Sequence, residues 1–182
     1  NLGGSDAGNY LLNAGTGKTS AGITARTLNL GFAGVNKTYD GSTDASVTIT
    51  DDRVANDVLT ATASGTFADK NAGSGKTVTV QNASLSGTDA ANYVLTSTTG
   101  ATGATIAQRE LALAFSAAGK TYDGNTAATV AVTDNRIAGD ILTATATGVF
   151  VDKNAGSNKV VTVQNASLSG TDASNYSLAS TT

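Results

Sequence analysis

Along most of this chain apolar side chains fall at every second position, with Thr, Ser or Asn between them. Leu28, Leu30 and Phe32 share one face, as do Val47 and Ile49, then Leu59, Ala61 and Ala63, then Val78 and Val80. Leu111, Leu113 and Phe115 repeat the first run further on. Successive side chains of an extended backbone point to opposite sides, so this spacing predicts half-buried β-strands. No stretch carries the 3.6-residue apolar stripe of a helix. Clusters of Asp, Asn and Gly separate the runs at Tyr39-Asp40-Gly41, Asp69-Lys70-Asn71-Ala72-Gly73, Ser86-Gly87-Thr88-Asp89 and residues 100–103, where the backbone is expected to reverse. Residues 51–57 are expected to hold at most one helical turn. Turns spaced by about 8–12 residues predict a sandwich of roughly seven strands.

The pattern occurs more than once. Lys37-Thr38-Tyr39-Asp40-Gly41 returns as Lys120-Thr121-Tyr122-Asp123-Gly124, and Asp69-Lys70-Asn71-Ala72-Gly73 as Asp152-Lys153-Asn154-Ala155-Gly156, both at an offset of 83. Without a gap, residues 36–99 match residues 119–182 at 46 of 64 positions. Leu2, Gly4, Asp6, Asn9, Tyr10 and Leu12 obey the same offset with Leu85, Gly87, Asp89, Asn92, Tyr93 and Leu95, and again with Leu168, Gly170, Asp172, Asn175, Tyr176 and Leu178. We therefore expect a tandem array with an 83-residue period. Residues 1–24 are the C-terminal part of a preceding repeat, 25–107 a complete repeat, and 108–182 a second repeat truncated at its last strand. The chain reads as a piece of something longer, with residues 17–24 expected to be a strand lacking its own domain, free to pair or to stay disordered. Ile106 leads through Ala107-Gln108-Arg109 almost directly into the next unit's first strand.

One motif narrows the fold class. Asp89-Ala90-Ala91-Asn92-Tyr93-Val94-Leu95 looks like the tyrosine corner of immunoglobulin-like domains, in which a Tyr ring packs at a sandwich corner and its hydroxyl bonds to the backbone. Leu95 then fills core where such domains often carry Cys. Asp6 to Leu12 and Asp172 to Leu178, with Tyr10 and Tyr176, repeat the motif. The expected architecture is all-β: tandem Ig-like β-sandwich repeats in an elongated array.

Lys-Thr-Tyr-Asp-Gly at 37–41, Gly-Thr-Phe-Ala-Asp-Lys-Asn-Ala-Gly at 65–73 and Leu-Ser-Gly-Thr-Asp-Ala-Ala-Asn-Tyr at 85–93 together resemble the YDG-domain repeats of large filamentous-haemagglutinin-like bacterial exoproteins. The resemblance covers essentially the whole chain and rests on three motifs in fixed order, twice. It implies a secreted or surface-displayed repeat region of a Gram-negative adhesin. Its motif residues here are Tyr39, Asp40, Gly41 and Tyr122, Asp123, Gly124, with Asp89, Tyr93 and Asp172, Tyr176 at the corners.

Composition sharpens what is excluded. The chain has no Cys, Met, Trp, His or Pro among its 182 residues, so the nucleophile-plus-base constellations that need His or Cys have no members. Hydrophobic residues make up 40%, enough to build cores rather than a disordered tail. A net charge of −3 argues against a surface that tracks phosphates, so nucleic acid is not an expected partner. No apolar run approaches the ~20 residues that cross a bilayer as a helix.

Thirteen Asp face a single Glu110. A glycosidase would need a carboxylate pair about 5–10 Å apart in a cleft, which a small repeated sandwich has little reason to build twice. We expect no enzyme. Asp51, Asp52 and Asp57 come nearest to a calcium cluster, but they lack an Asp-x-Asp-x-Asp-Gly loop and a bidentate Glu, and Asp52 becomes Asn135 in the next copy. The expectation is no metal and no cofactor, with calcium at those three carboxylates the one candidate. Lys37, Lys70 and Lys76 beside Asn and Asp hold the ingredients of isopeptide crosslinks and equally of a solvated face. All five Tyr fall in two motifs and all four Phe in repeated strands, which favours core and corner packing over a sugar-stacking platform, although Tyr39 and Tyr122 are candidates for exposure.

The function expected is a structural stalk or fibre repeat of an extracellular bacterial adhesin that projects a distal binding region and supports cell adhesion or biofilm. Its partners are neighbouring repeats, with surface glycans or proteins met by regions outside this sequence. One rival is a weak multivalent glycan-binding module, for which 69–73 and 80–84 are the best repeated candidates. Another is a filament that assembles by strand addition between chains.

Overall fold

The computed structural model describes residues 1–13 and 16–179; Ala14, Gly15 and residues 180–182, assigned above to the preceding and the second unit, lie outside the described residues. The protein is all-β with several sheets, consistent with a β-sandwich, and its helical pieces among the described residues are three 3-10 turns: Ala7–Asn9, Ala90–Asn92 and Ala173–Asn175.

The first unit contains β1 (Arg26–Leu28), β2 (Leu30–Gly34), β3 (Lys37–Thr38), β4 (Asp44–Ala45), β5 (Val47–Asp51), β6 (Thr60–Phe67), β7 (Gly73–Ser86), β8 (Tyr93–Leu95) and β9 (Gly100–Ala107). A five-stranded sheet runs β3-β9-β7-β6-β4, β2 pairs antiparallel with β5, and β1 pairs parallel with β8. β3 also lies parallel to β9, so two pairings depart from the antiparallel immunoglobulin scheme. The alternation read from the sequence sets the inward faces: Phe67, Val78, Val80, Ala104 and Ile106 are buried, and Phe32, Val47 and Ala63 pack against them.

Two local expectations are corrected. Residues 100–103 do not form a turn but open β9, and the reversal falls just before them, where the Thr99 N–H donates to Ser97 Oγ at 3.1 Å. Gly100 is there for close approach, since a Cβ at that position would sit 2.7 Å from the Phe32 ring. Residues 51–57 hold no helical turn; the loop is closed by the Asp57 N–H donating to the Val54 carbonyl at 3.2 Å, with Asn56 at φ +75°.

The second unit contains β10 (Arg109–Leu111), β11 (Leu113–Ala117), β12 (Ala127–Ala128), β13 (Val130–Asp134), β14 (Thr143–Phe150), β15 (Val161–Ser169) and β16 (Tyr176–Leu178). β10 pairs with β16 and β11 with β13 as in the first unit, but the large sheet is reduced to β12-β14-β15 among the described residues. β15 spans 9 residues where β7 spans 14. No strand forms at Lys120-Thr121, although the same residues make β3 in the first unit. Both losses have one cause: β9 is the strand that β3 and the start of β7 pair with, and among the described residues no strand pairs with β15 on that side. Residues 17–24, expected to be a strand free to pair or to stay unpaired, form no strand and are exposed.

Candidate functional site

Only Gln108 separates β9 from β10, so the chain offers little slack between the units. What fixes them is a buried junction built from the base of the first unit and the head of the second. The main hydrophobic cluster crosses it: Tyr39, Phe67 and Ile106 belong to the first unit, and Leu111, Leu142 and Tyr176 to the second. The same head positions in the first unit, Leu28, Leu59 and Tyr93, form a small cluster of their own. A docked head thus merges its core with the base before it.

At the centre lies Asp140, 9% exposed. Tyr39 donates its hydroxyl to Asp140 Oδ2 at 2.9 Å across the junction, and Tyr176 donates to the same oxygen at 2.6 Å from within the second unit. Lys70 Nζ reaches Asp140 Oδ1 at 2.9 Å and Asp172 Oδ1 at 3.1 Å. The rings of Tyr39 and Tyr176 meet edge to face with centroids 5.5 Å apart. Beside them, the Ala72 N–H donates to Asn175 Oδ1 at 2.9 Å, and Asn175 Nδ2 donates to Asn71 Oδ1 at 3.3 Å. Each fully buried large apolar side chain contributes about 1.5–3 kcal/mol and each neutral hydrogen bond a net of about 1 kcal/mol. Apolar burial therefore supplies most of the holding energy. The directional polar groups fix the angle at which the units meet, because any other angle would strand a buried carboxylate.

Each residue of the Tyr39-Asp40-Gly41 motif has a separate part. Tyr39 enters the junction. Asp40 folds the turn, accepting from the Ser42 N–H at 2.9 Å and from Lys37 at 2.8 Å. Gly41 takes φ +79° and brings the turn so close to the second unit that a Cβ would lie 3.3 Å from Ile137 Cγ2. In the second copy Asp123 makes the same turn with Lys120 and the Asn125 N–H, and Gly124 has φ +78°, but Tyr122 is 60% exposed where Tyr39 is 1%. The sequence left both tyrosines as candidates for exposure. One is buried and the other is not, because only the first has a head docked on it.

Of the corner tyrosines, Tyr93 and Tyr176 are buried and Tyr10 is exposed, and the hydroxyls of the buried pair reach a loop 39 residues before them. Tyr93 accepts from the Val54 N–H at 2.9 Å and donates to Asp57, and Tyr176 does the same with the Ile137 N–H and Asp140. Asp89 and Asp172 tie in the same loop, accepting from the Val58 and Ile141 N–H groups at 2.8 and 2.9 Å.

The three carboxylates considered for calcium do not converge. Asp51 is paired with Arg53, Asp52 accepts from the Asn29 N–H and side-chain amide at 2.9 and 2.8 Å, and Asp57 accepts from Tyr93. Among the described residues no group of three or more acidic side chains gathers as a metal site. The lysines are likewise committed to ion pairs, Lys37 with Asp40, Lys76 with Asp69 and Lys70 with the junction. Lys70 is held above the usual lysine range, first by its hydrogen bond to Asp140, so both members of that pair stay ionised. Isopeptide condensation needs the neutral amine and the protonated acid instead.

The repeated stretch 69–73 was marked as a ligand-binding candidate, and the structure places its Lys70, Asn71 and Ala72 in the junction. Asp140 itself was missed. A signal for it existed: it is the copy of Asp57, retained at the 83-residue offset while the adjacent candidate Asp52 is replaced by Asn135. The sequence could not show that the second copy of one motif meets the first copy of another.

Ionisation makes the junction sensitive to extremes of pH. Burial pushes the Asp140 carboxyl up, but hydrogen bonds from Tyr176, Lys70 and Tyr39 outweigh it and leave its pKa below the ordinary 3.8. A depressed acid contributes stability above its unfolded pKa and loses it as pH falls through the folded value. Burial, reinforced by the hydrogen bond to Asp140, raises Tyr176 to about 12, and Tyr39 is raised too, chiefly by burial. A raised phenol contributes below its ordinary 10.0 and loses that contribution as pH climbs through the folded value. Energy transfer between dyes on the two units should stay flat from about pH 5 to about pH 9 and change below about pH 4 and above about pH 10. A profile that moves near neutrality would contradict this network.

In comparison with known proteins, no curated protein and no solved structure matches the chain. A family model does: residues 24–100 and residues 107–182 each match the YDG domain. The two matches take in Tyr39, Lys70, Asp140 and Tyr176 of the junction and most of the sequence, and the chain belongs to the YDG-domain family.

Proposed function

We propose that this chain is a stalk segment: a structural repeat of a secreted or surface-displayed bacterial adhesin, which holds a distal binding region away from the cell and supports adhesion or biofilm. The observation that carries the reading is the junction, where a one-residue link, a shared apolar core and a buried carboxylate with three donors fix one unit on the next. A projecting fibre depends on a rigid angle between its units. The motif residues support the reading further, since the repeated tyrosines, Lys70 and Asp140 serve folding and docking. Each unit is read as an Ig-like sandwich, supported by a corner tyrosine whose hydroxyl holds a backbone N–H. The reading assigns the chain no catalytic step and no cofactor.

Small-angle X-ray scattering of the dilute chain tests the mechanical half. Two sandwiches in line should give a particle roughly 70–90 Å long, unchanged by calcium or chelator. A flexible pair of beads, or a calcium-dependent length, would remove the stiff ion-independent stalk. For location, antibodies against the two units should label intact cells of the source bacterium, and labelling only after permeabilisation would exclude surface display.

A further inference from the structure

In the first unit the segment that leads in and the segment that leads out lie side by side. Arg26 of β1 stands opposite Tyr93 of β8, and Thr38 of β3 opposite Ala107 of β9, at offsets of 67 and 69, and both pairings are parallel. Between and just beyond these ladders further hydrogen bonds keep the same step. The Thr96 N–H donates to the Leu28 carbonyl at 3.2 Å, the Gly34 N–H to Thr102 Oγ1 at 3.3 Å, the Thr105 N–H to Asn36 Oδ1 at 2.7 Å and the Tyr39 N–H to the Ala107 carbonyl at 2.8 Å. Residues 26–39 thus track residues 93–107 in one register. Both run from the head, where Leu28 and Tyr93 pack together, to the base, where Tyr39 and Ile106 share the main core. The second unit repeats the head end of this arrangement, with Arg109 opposite Tyr176 and the Ala179 N–H donating to the Leu111 carbonyl at 3.3 Å.

We propose that these two parallel segments are a shear clamp, through which the unit carries tension without unfolding. The proposal rests on the stalk reading for its load, while the clamp itself follows from strand direction. Tension along the chain enters the unit at Ala25, at the head, and leaves at Gln108, at the base. It pulls residues 26–39 towards the head and residues 93–107 towards the base, so the two segments are driven to slide past each other along their own axes. Every bond between them is strained at once, and none can break without displacing the rest. β9 is held in addition by β7, from Gly73 opposite Ile106 to Val80 opposite Gly100, and that ladder also lies along the pull. The β6–β7 hairpin of the same sheet is the contrast. Thr60 faces Ser86 at its open end, and a force that parts those two residues opens the ladder one pair at a time.

Side chains supply a matched pair of probes. Asn36 is exposed, and its amide oxygen holds the Thr105 N–H inside the clamp. Ser64 is exposed as well, and its hydroxyl donates to the Gln81 carbonyl at 3.2 Å across the hairpin. Each substitution to Ala removes one surface hydrogen bond between side chain and backbone, so Asn36→Ala and Ser64→Ala should lower the melting temperature by similar small amounts. Under tension the two should differ, because only the Asn36 bond lies between the loaded segments.

The chain has no Cys, so two introduced cysteines serve as unique handles for pulling single molecules of the whole chain. With Ala25→Cys and Gln108→Cys the first unit should yield in one step of about 250 Å, the length of the freed chain less its folded span. Forced unfolding follows the barrier out of the native state, and that step should need at least about twice the force required with handles at Val58→Cys and Thr88→Cys, which part the open end of the hairpin. Asn36→Ala should lower the first force and leave the second unchanged, and Ser64→Ala should do the reverse. Equal forces for the two pairs of handles would overturn the clamp, as would release between residues 25 and 108 in a series of small steps. So would a Ser64→Ala effect on the first force as large as that of Asn36→Ala. A chain that scatters as a flexible pair and still yields in this way would remove the stalk reading and leave the clamp standing. A rigid rod with equal forces would do the opposite.

Discussion

Asp140→Ala should uncouple the two units while leaving each of them folded. The substitution deprives Tyr39 and Tyr176 of their acceptor in a nearly dry site and leaves Lys70 with Asp172 as its one carboxylate partner. Removing one member of a buried charged network costs about 3–5 kcal/mol, but Lys70 is 38% exposed and recovers part of that through solvent. We expect a loss of about 2 kcal/mol, seen as a drop of about 10 °C in the melting of the second unit and as broadened inter-unit distances. The control is built into the repeat: Asp57→Ala removes the matching carboxylate where Tyr93 is the one side-chain donor among the described residues, and should cost about 1 kcal/mol with no change in the angle between units. Equal effects at the two positions would mean that Asp140 serves its own loop rather than the junction.

Gly87→Ala should unfold or severely weaken the first unit. Gly87 sits at φ +116°, and a Cβ there would lie 2.6 Å from the Val58 carbonyl oxygen and 2.8 Å from Leu59 Cα, so the obstacle is backbone that cannot rotate away. Left-handed backbone strain and overpacking together cost about 3 kcal/mol, a large part of the stability of a domain this size. Gly4 is the same residue of the same motif, at φ +109°, with nothing within 4 Å of the added Cβ. Gly4→Ala should therefore leave both units' melting unchanged. A mild effect at Gly87 would show that the turn and the loop before β6 can separate without loss.

These paired positions also divide what is local from what is not. Gly4, Gly87 and Gly170 all adopt positive φ, at +109°, +116° and +113°, and each is followed by a 3-10 turn whose flanking Asp lies at φ −101°, −99° and −98°. The first copy forms this turn with no sandwich around it, so Gly-x-Asp and its neighbours suffice. Alternation fixed the inward faces just as directly, and Leu28, Val78 and Val80 are buried where period two put them. The YDG family was legible too, because its motifs are short, contiguous and repeated. Glycine was ambiguous: Gly100 looks like a turn signal and is instead the place where a strand runs against Phe32, a distinction that depends on a residue 68 positions away.

The candidate site lay beyond sequence reasoning for a related reason. Tyr10, Tyr93 and Tyr176 share one motif and one local backbone, yet Tyr10 is 71% exposed and the other two are buried. Lys37-Thr38 is a strand and Lys120-Thr121 is not. The residues by themselves determined an all-β chain of repeated units, the positions of most turns, and the side of each strand that faces inward. All of these depend on backbone preference and nearest neighbours in sequence. The tertiary structure alone decided which copies are buried, which carboxylate becomes the centre of the junction and which sheet is complete, because hydrogen-bond pairing and desolvation require a partner that arrives from far along the chain.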